Sequence, residues 1–275
     1  MSKNLQIIPL FIIASNSLLL AGSIFDLHRT ILEVSILIGL CTSGTIIIYG
    51  YDFAQLNQNG YNNLVSNVLK SPIQTLFYFL FIVIVVPFTF FELSNFRINA
   101  MLIICLFGLL YSVPLNFIKR DFKLKKIFYF KNIFIGFSWG SLLLVGAGSF
   151  SSSIVWSFFL FTSIQVIIGS SIRDIADIQQ DHYLGMNTIP VRYGIKNTVR
   201  ILRALNLCSL GALFYTLETD YWIVMAVVFF WRAIVLAMVK IPQESILWTQ
   251  TMNILTCTLL FLTMLVIKIS PWIFT

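Results

Sequence analysis

Three aspartates in the stretch from Arg173 to Gly194, RDIADIQQDHYLGMNTIPVRYG, are spaced for shared chemistry. Asp174, Asp177 and Asp181 stand at i, i+3 and i+7 directly after an apolar run, and on a helix that spacing stacks the carboxylates on one face. The chain holds only 11 acidic residues among 275, so three on one stripe are not ordinary surface solvation. A carboxylate cluster at a membrane boundary calls for a cation. Hard divalent ions such as Mg²⁺ take carboxylate oxygens and often bridge them to a phosphate-bearing substrate. The competing reading is a helix end capped and salt-bridged against Arg173 and a nearby basic loop. Carboxylates at a helix C-terminus oppose the helix dipole, which makes pure capping a poor role for them.

The elements that must position these residues are membrane helices. The chain is 58% hydrophobic and 11% charged with a mean hydropathy of +0.90, whereas soluble domains are about a quarter charged. The expectation is an all-α polytopic membrane bundle forming a single domain over 1–275. Crossing the hydrocarbon takes roughly 20 apolar residues. Nine runs qualify, at about 6–25, 30–51, 72–92, 98–115, 128–149, 152–172, 199–217, 221–240 and 245–269, with ends soft by a few residues. The first run reads as a retained span, because no small-x-small cleavage site follows it. Single polar residues inside spans, such as Asn16, Gln165 and Asn253, read as interhelical hydrogen bonds. The small residues of GFSWGSLLLVGAG (Gly136 to Gly148) read as close helix packing. The four cysteines lie in apolar runs with no C-x-x-C pair and imply neither disulfides nor zinc.

Basic residues set the orientation. With the N-terminus on the cytoplasmic side, only Arg29, Arg97 and Lys268 of the 18 lysines and arginines fall outside, and Arg232 falls within a span. The net charge of +7 then faces anionic lipid headgroups or an anionic substrate, with no need for nucleic acid. The long loops, about 52–71, 116–127 and 173–198, all lie on that same side, so the chemistry is expected there.

The pattern Asp174-x-x-Asp177-x-x-x-Asp181, then Gly185, Thr188, Pro190 and Gly194, resembles the second aspartate-rich motif of the UbiA-type intramembrane prenyltransferases. YSVPLNFIKR, from Tyr111 to Arg120, resembles the end of that family's fourth span, an aromatic-Ser-x-Pro followed by basic residues. The nine-span expectation agrees with the family fold. The resemblance implies a prenyl diphosphate donor held in a lipid-facing cavity by Mg²⁺ on two aspartate-rich motifs, and transfer of the allylic group to an aromatic or lipid acceptor. By resemblance Asp174, Asp177 and Asp181 are catalytic and metal-binding. The physics is metal-assisted departure of the leaving group in a cavity that excludes water.

The first motif of the family departs here. Its counterpart is Tyr51-Asp52-Phe53-Ala54-Gln55-Leu56-Asn57-Gln58-Asn59. Asp52 keeps the first aspartate and is a metal and substrate ligand by resemblance. Gln55 and Asn59 replace the other two, and Tyr51 replaces an asparagine. Amide oxygens still coordinate, but two lost charges weaken a hard-cation site. Lys70, in Lys70-Ser71-Pro72, resembles the basic-Pro end of this loop and is expected on the diphosphate, as are Lys119 and Arg120 of the basic loop. The positive-inside rule alone would also place such a basic cluster. Tyr51 is the one aromatic expected over the isoprenoid head. His182 stands where the family usually has arginine. The altered first motif leaves two further readings open: a terpene cyclase in the same cavity, and a non-catalytic isoprenoid- or lipid-binding protein. Arg232, near mid-span, costs about 2.5–3.5 kcal/mol on insertion scales and has no family counterpart; it either faces the bundle or snorkels.

Overall fold

The computed structural model describes residues 8–25, 31–58, 97, 100–101, 104, 127–128, 130–148, 152–217, 219–239 and 246–273. Among these the chain is all-helical: α1 (Ile8–Ser23), α2 (Ile31–Gln58), α3 (Phe130–Ala147), α4 (Ser153–Ala176), α5 (Ile178–Tyr183), α6 (Ile189–Ser209), a 3-10 helix (Leu210–Tyr215), α7 (Tyr221–Met238) and α8 (Ile246–Ile273). Four segments among the described residues are long and apolar enough to cross a membrane: α3, α4, α7 and Trp248–Ile269 of α8. α1 and α2 contribute shorter apolar stretches, Leu10–Ser23 and Glu33–Ile46.

The expectation of nine spans is therefore met in part. The run at 72–92 and most of that at 98–115 lie outside the described residues. The run at 199–217 differs in kind. Its helix begins earlier, at Ile189, and presents Arg192, Lys196, Arg200 and Arg203 as an exposed basic stripe before a 3-10 turn takes over at Leu210. The four cations run from Arg192 to Arg203 of this helix, so α6 is not among the four described helices long and apolar enough to cross a membrane.

Small residues decide how closely the helices approach. α3 and α4 form an antiparallel hairpin across a short connection, and α1 packs against α8, α3 and α2. At the α1–α3 crossing Gly22 and Gly146 face each other: a Cβ on Gly22 would collide with the Leu143 carbonyl, and one on Gly146 with the Leu19 carbonyl. At the α3–α4 crossing Gly136 lies against Ser163 and Ile167, and Gly140 against Ser163 and Phe159. Close backbone approach maximises dispersion contact where lipid supplies no hydrophobic drive between helices. The main core gathers Leu18, Leu19, Leu37, Leu143, Phe158, Phe161, Val224, Met225 and Met264 from six helices.

A buried polar network ties a second, smaller core together. Arg232 is only 1% exposed, so it does not snorkel. Its Nε donates to Gln165 Oε1 (3.3 Å), Nη1 to Asn253 Oδ1 (3.1 Å) and Nη2 to the Gln165 carbonyl (3.2 Å). Asn253 Nδ2 donates in turn to the Gly169 carbonyl, and Gln165 Nε2 to Asn206 Oδ1 and Ser209 Oγ. The network thus joins α4, α6, α7 and α8 just below the acidic end of α4. Asn16 bonds Thr42 Oγ1 at 2.9 Å between α1 and α2. The reading of Asn16, Gln165 and Asn253 as interhelical hydrogen-bonding residues holds.

The α1–α3 crossing makes a direct prediction. Gly146→Val overpacks a site with no free space and is expected to cost about 1–3 kcal/mol, seen as a lower melting temperature in detergent. Gly211→Ala, where nothing lies within 4 Å of the new methyl, is expected to leave that temperature unchanged.

Candidate active site

The α3–α4 hairpin brings the first turn of α3 beside the last turn of α4. That juxtaposition places Lys131 and Asn132 against Asp174. Lys131 Nζ lies 2.6 Å from Asp174 Oδ1 and 3.6 Å from Asp181 Oδ2. Asn132 Nδ2 donates to the second oxygen of Asp174 at 2.9 Å and to Ser171 Oγ at 2.9 Å, and its own Oδ1 accepts from Ser170 Oγ at 3.0 Å. Asp174 is 1% exposed with both oxygens engaged.

The three aspartates do not lie on one unbroken helix. α4 stops at Ala176, Asp177 adopts φ −95° and ψ 7°, and α5 restarts at Ile178. Asp177 N–H still donates to the Arg173 carbonyl (3.1 Å), and Asp181 N–H to the Asp177 carbonyl (2.8 Å), so the chain keeps a helical course through the break. The expected single stripe becomes two groupings. Asp174 and Asp181 converge on Lys131. Asp177 receives Arg173 Nε at 3.4 Å instead. With its amide carbonyl turned toward the guanidinium, Gln250 accepts from the same Arg173 at 3.0 and 3.1 Å. The guanidinium also lies 5.6 Å from the centre of the Phe11 ring. Arg173 therefore anchors the end of α4 to α8 and α1.

The motif's smaller residues have backbone roles. Gly185 (φ 66°) ends α5, and Gly194 (φ 73°) breaks α6 near its start. Neither glycine has a neighbour where a Cβ would stand, so the left-handed backbone, not crowding, calls for glycine. Thr188 is the extended N-cap residue of α6, with Pro190 in the first turn, where a missing N–H costs nothing. Arg192 lies over the Phe128 ring, 4.4 Å from its centre, and docks the start of α6 on the approach to α3. His182 and Lys196 are exposed.

Other expected site residues cannot be followed as far. Tyr51, Asp52 and Gln55 belong to the final turns of α2, but their side chains lie outside the described residues, as do Asn59, Lys70, Lys119 and Arg120 altogether. Lys131, Asn132 and Gln250 were not singled out from the sequence. A signal for the first two existed: a short α3–α4 connection makes the start of one span face the end of the next.

The donor set can be tested against a divalent ion. Among the described residues no group of three or more His, Cys, Asp or Glu side chains forms a metal cage. Asp174 is already taken by Lys131 and Asn132. Two carboxylates remain suited to a hard cation. Among the described residues the Asp177 carboxylate has one hydrogen bond, the 3.4 Å contact with Arg173. Asp181 Oδ2 is buried and faces the Lys131 ammonium at 3.6 Å, and the buried Thr188 hydroxyl stands beside the same carboxylate. A buried carboxylate held by one ion pair at 3.6 Å keeps lone pairs for a hard cation completed by ligands from elsewhere.

Burial pushes the Asp181 carboxyl up to about 6 from the ordinary 3.8; Lys131 and the Thr188 hydroxyl oppose that rise, and Asp174 and Asp177 add to it. Burial likewise raises Asp177, against the pull of Arg173 and Lys131. A carboxyl raised in the folded state binds its proton more tightly there than in the unfolded chain. The stability this contributes is present below the unfolded value near 3.8 and is lost as pH rises through about 6. Infrared spectra of metal-free protein are expected to show a protonated-carboxyl band that grows as pH falls through about 6. That component should be missing from Asp181→Asn.

The comparisons with known proteins come down on one fold. No curated protein matches the chain. Among solved structures, one described as a digeranylgeranylglyceryl phosphate synthase in membranes aligns with a TM-score of 0.64 at 19% identity, over 98% of this chain and 100% of that one. A UbiA homolog from Archaeoglobus fulgidus bound to DMAPP and Mg²⁺ aligns with a TM-score of 0.68 at 13% identity, over 96% of this chain and 100% of that one. The same homolog bound to GPP and Mg²⁺ gives 0.68 at 13%, over 97% and 99%. At such identities the likeness is one of fold. The model of the UbiA prenyltransferase family matches residues 8–256, nearly the whole chain, and the protein belongs to that family.

Proposed function

We propose that the chain transfers a prenyl group from a prenyl diphosphate to an aromatic or lipid acceptor within the membrane, assisted by Mg²⁺. One observation carries this reading: in a family member, a buried aspartate whose Oδ2 is held only by a 3.6 Å ion pair with Lys131 (Asp181) lies near a second aspartate held by a 3.4 Å contact with Arg173 (Asp177) at the end of a helical hairpin. The homolog bound to DMAPP and Mg²⁺ shares the fold and supports the choice of donor and ion.

In this reading Asp177 and Asp181, with Asp52 at the end of α2, hold the ion. An ion held there would supply positive charge to the diphosphate and so favour heterolysis of the allylic C1–O bond, with the electron pair leaving on the diphosphate oxygen. Arg173 orients Asp177, and Asn132 with Ser170 and Ser171 fixes Asp174. Lys70, Lys119, Arg120, Gln55, Asn59 and Tyr51 are assigned to the diphosphate and the isoprenoid head. The acceptor's nucleophilic atom bonds to C1 and then gives up its proton. The apolar wall of the bundle keeps water from quenching the allylic cation as an alcohol. The site and the N-terminus are assigned to the cytoplasmic face, in a single domain spanning 1–275. The neutral Gln55 and Asn59 in the first motif favour a second reading, isoprenoid binding without turnover, because they leave the ion fewer charged ligands.

Diphosphate release separates the two. Purified protein with a membrane lipid extract is incubated with geranyl, farnesyl or geranylgeranyl diphosphate, with and without Mg²⁺. The expected result is Mg²⁺-dependent release that falls by more than about 100-fold in Asp177→Ala/Asp181→Ala, beyond the usual loss for a residue that merely supports a metal ligand. Folded protein with no release above that control for any donor would select the binding role.

A further inference from the structure

Lys131 is a charge in an unexpected place. A lysine in the first turn of a helix opposes the helix dipole, and an aspartate in the last turn does the same. Lys131 stands second in α3, and Asp174 stands in the last turn of α4. Each is unfavourable to its own helix, yet together they make a 2.6 Å ion pair with the carboxylate fully buried. The lysine side chain is 19% exposed, and its ammonium points toward two carboxylates. It lies between Asp174 and Asp181, near the spot where an ion shared by those residues would sit. Three carboxylates against Lys131 and Arg173 leave the described cluster with one net negative charge, little for a divalent ion whose affinity follows ligand charge.

We propose that Lys131 is a resident cation of this site: its ammonium takes the place of a divalent ion between Asp174 and Asp181, so the cluster binds one fewer metal ion than its three carboxylates would otherwise allow. The inference rests on the reading of the site as a Mg²⁺–diphosphate site and refines it. Asp174 then serves as the anchor of the ammonium. The metal-binding work falls to Asp177 and Asp181, and the positive charge that Lys131 holds at the cluster faces the departing diphosphate without any metal being recruited for it. A fixed ammonium cannot dissociate, so this part of the site's charge is independent of Mg²⁺ concentration.

The test counts ions and does not depend on turnover. Full-length protein in detergent is titrated with Mn²⁺ in the presence of a non-ionisable thio analogue of geranyl diphosphate, and bound Mn²⁺ is followed by electron paramagnetic resonance. Wild type is expected to bind one ion per chain. Lys131→Met is expected to bind one more, with spin–spin broadening from the neighbouring pair, and Lys131→Arg to keep the wild-type count. Lys131→Gln, which retains a hydrogen bond to Asp174 without the charge, serves as the second neutral variant if Lys131→Met does not fold. Two ions in wild type, or no gain in either neutral variant, would overturn the role of Lys131. No ion in wild type but one in a neutral variant would uphold Lys131 while sinking the Mg²⁺-assisted function. No ion in any of the proteins would overturn both.

Discussion

A lysine ammonium 2.6 Å from a buried carboxylate, at the end of a membrane hairpin, is the contact on which this site depends. In a low-dielectric setting either charge alone would carry a heavy desolvation cost, and the pair persists only because the geometry is close and the remaining lone pairs are occupied. Asn132 supplies that second condition by donating to the other oxygen of Asp174. The α3–α4 hairpin is the device that brings the two helix ends together, and the glycine contacts along it set how near they come. From the pair outward, Asp181 is drawn toward the same ammonium, and Asp177 is left to Arg173.

A second polar arrangement holds the scaffold behind the site. Arg232 is buried without a carboxylate partner among the described residues, and its hydrogen bonds go to amide and backbone oxygens of α4 and α8. The Gly169 carbonyl, which receives Asn253, lies in the same helix as Asp174, little more than one turn before it. The register of the acidic end of α4 is thus fixed from below by neutral acceptors and from above by Lys131. Arg173 adds a lateral tie to Gln250 of α8 and to the Phe11 ring of α1. Satisfied networks of this kind specify one arrangement, because each member left unpaired would be expensive in a dry interior.

Much of the molecule was legible in its residues. Apolar run length placed α3, α4, α7 and α8 well, since spanning the hydrocarbon imposes a length that few other constraints imitate. The aspartate spacing located a buried carboxylate cluster, and the glycine and proline positions of the motif proved to be backbone requirements. What spacing could not show was the break at Asp177, whose backbone leaves the helical region at φ −95° and ψ 7°. The run at 199–217 was legible only in part, because its helix begins ten residues earlier and carries Arg192 and Lys196 ahead of the apolar stretch. Lys131 was hidden for another reason: in sequence it blends into a basic loop that the positive-inside rule already explains, and only the antiparallel pairing of α3 with α4 reveals its partner.

The most direct test of this account is a double-mutant cycle on Lys131 and Asp174. Melting of wild type, Lys131→Met, Asp174→Asn and the double variant would be measured in the same detergent without added metal. The account predicts that each single change is strongly destabilising, because it strands a buried charge, and that the double variant recovers much of the loss, a coupling of about 2–3 kcal/mol. Additive single effects, with coupling below about 0.5 kcal/mol, would show that the ammonium and the carboxylate do not depend on each other. That result would contradict the central role given to the pair.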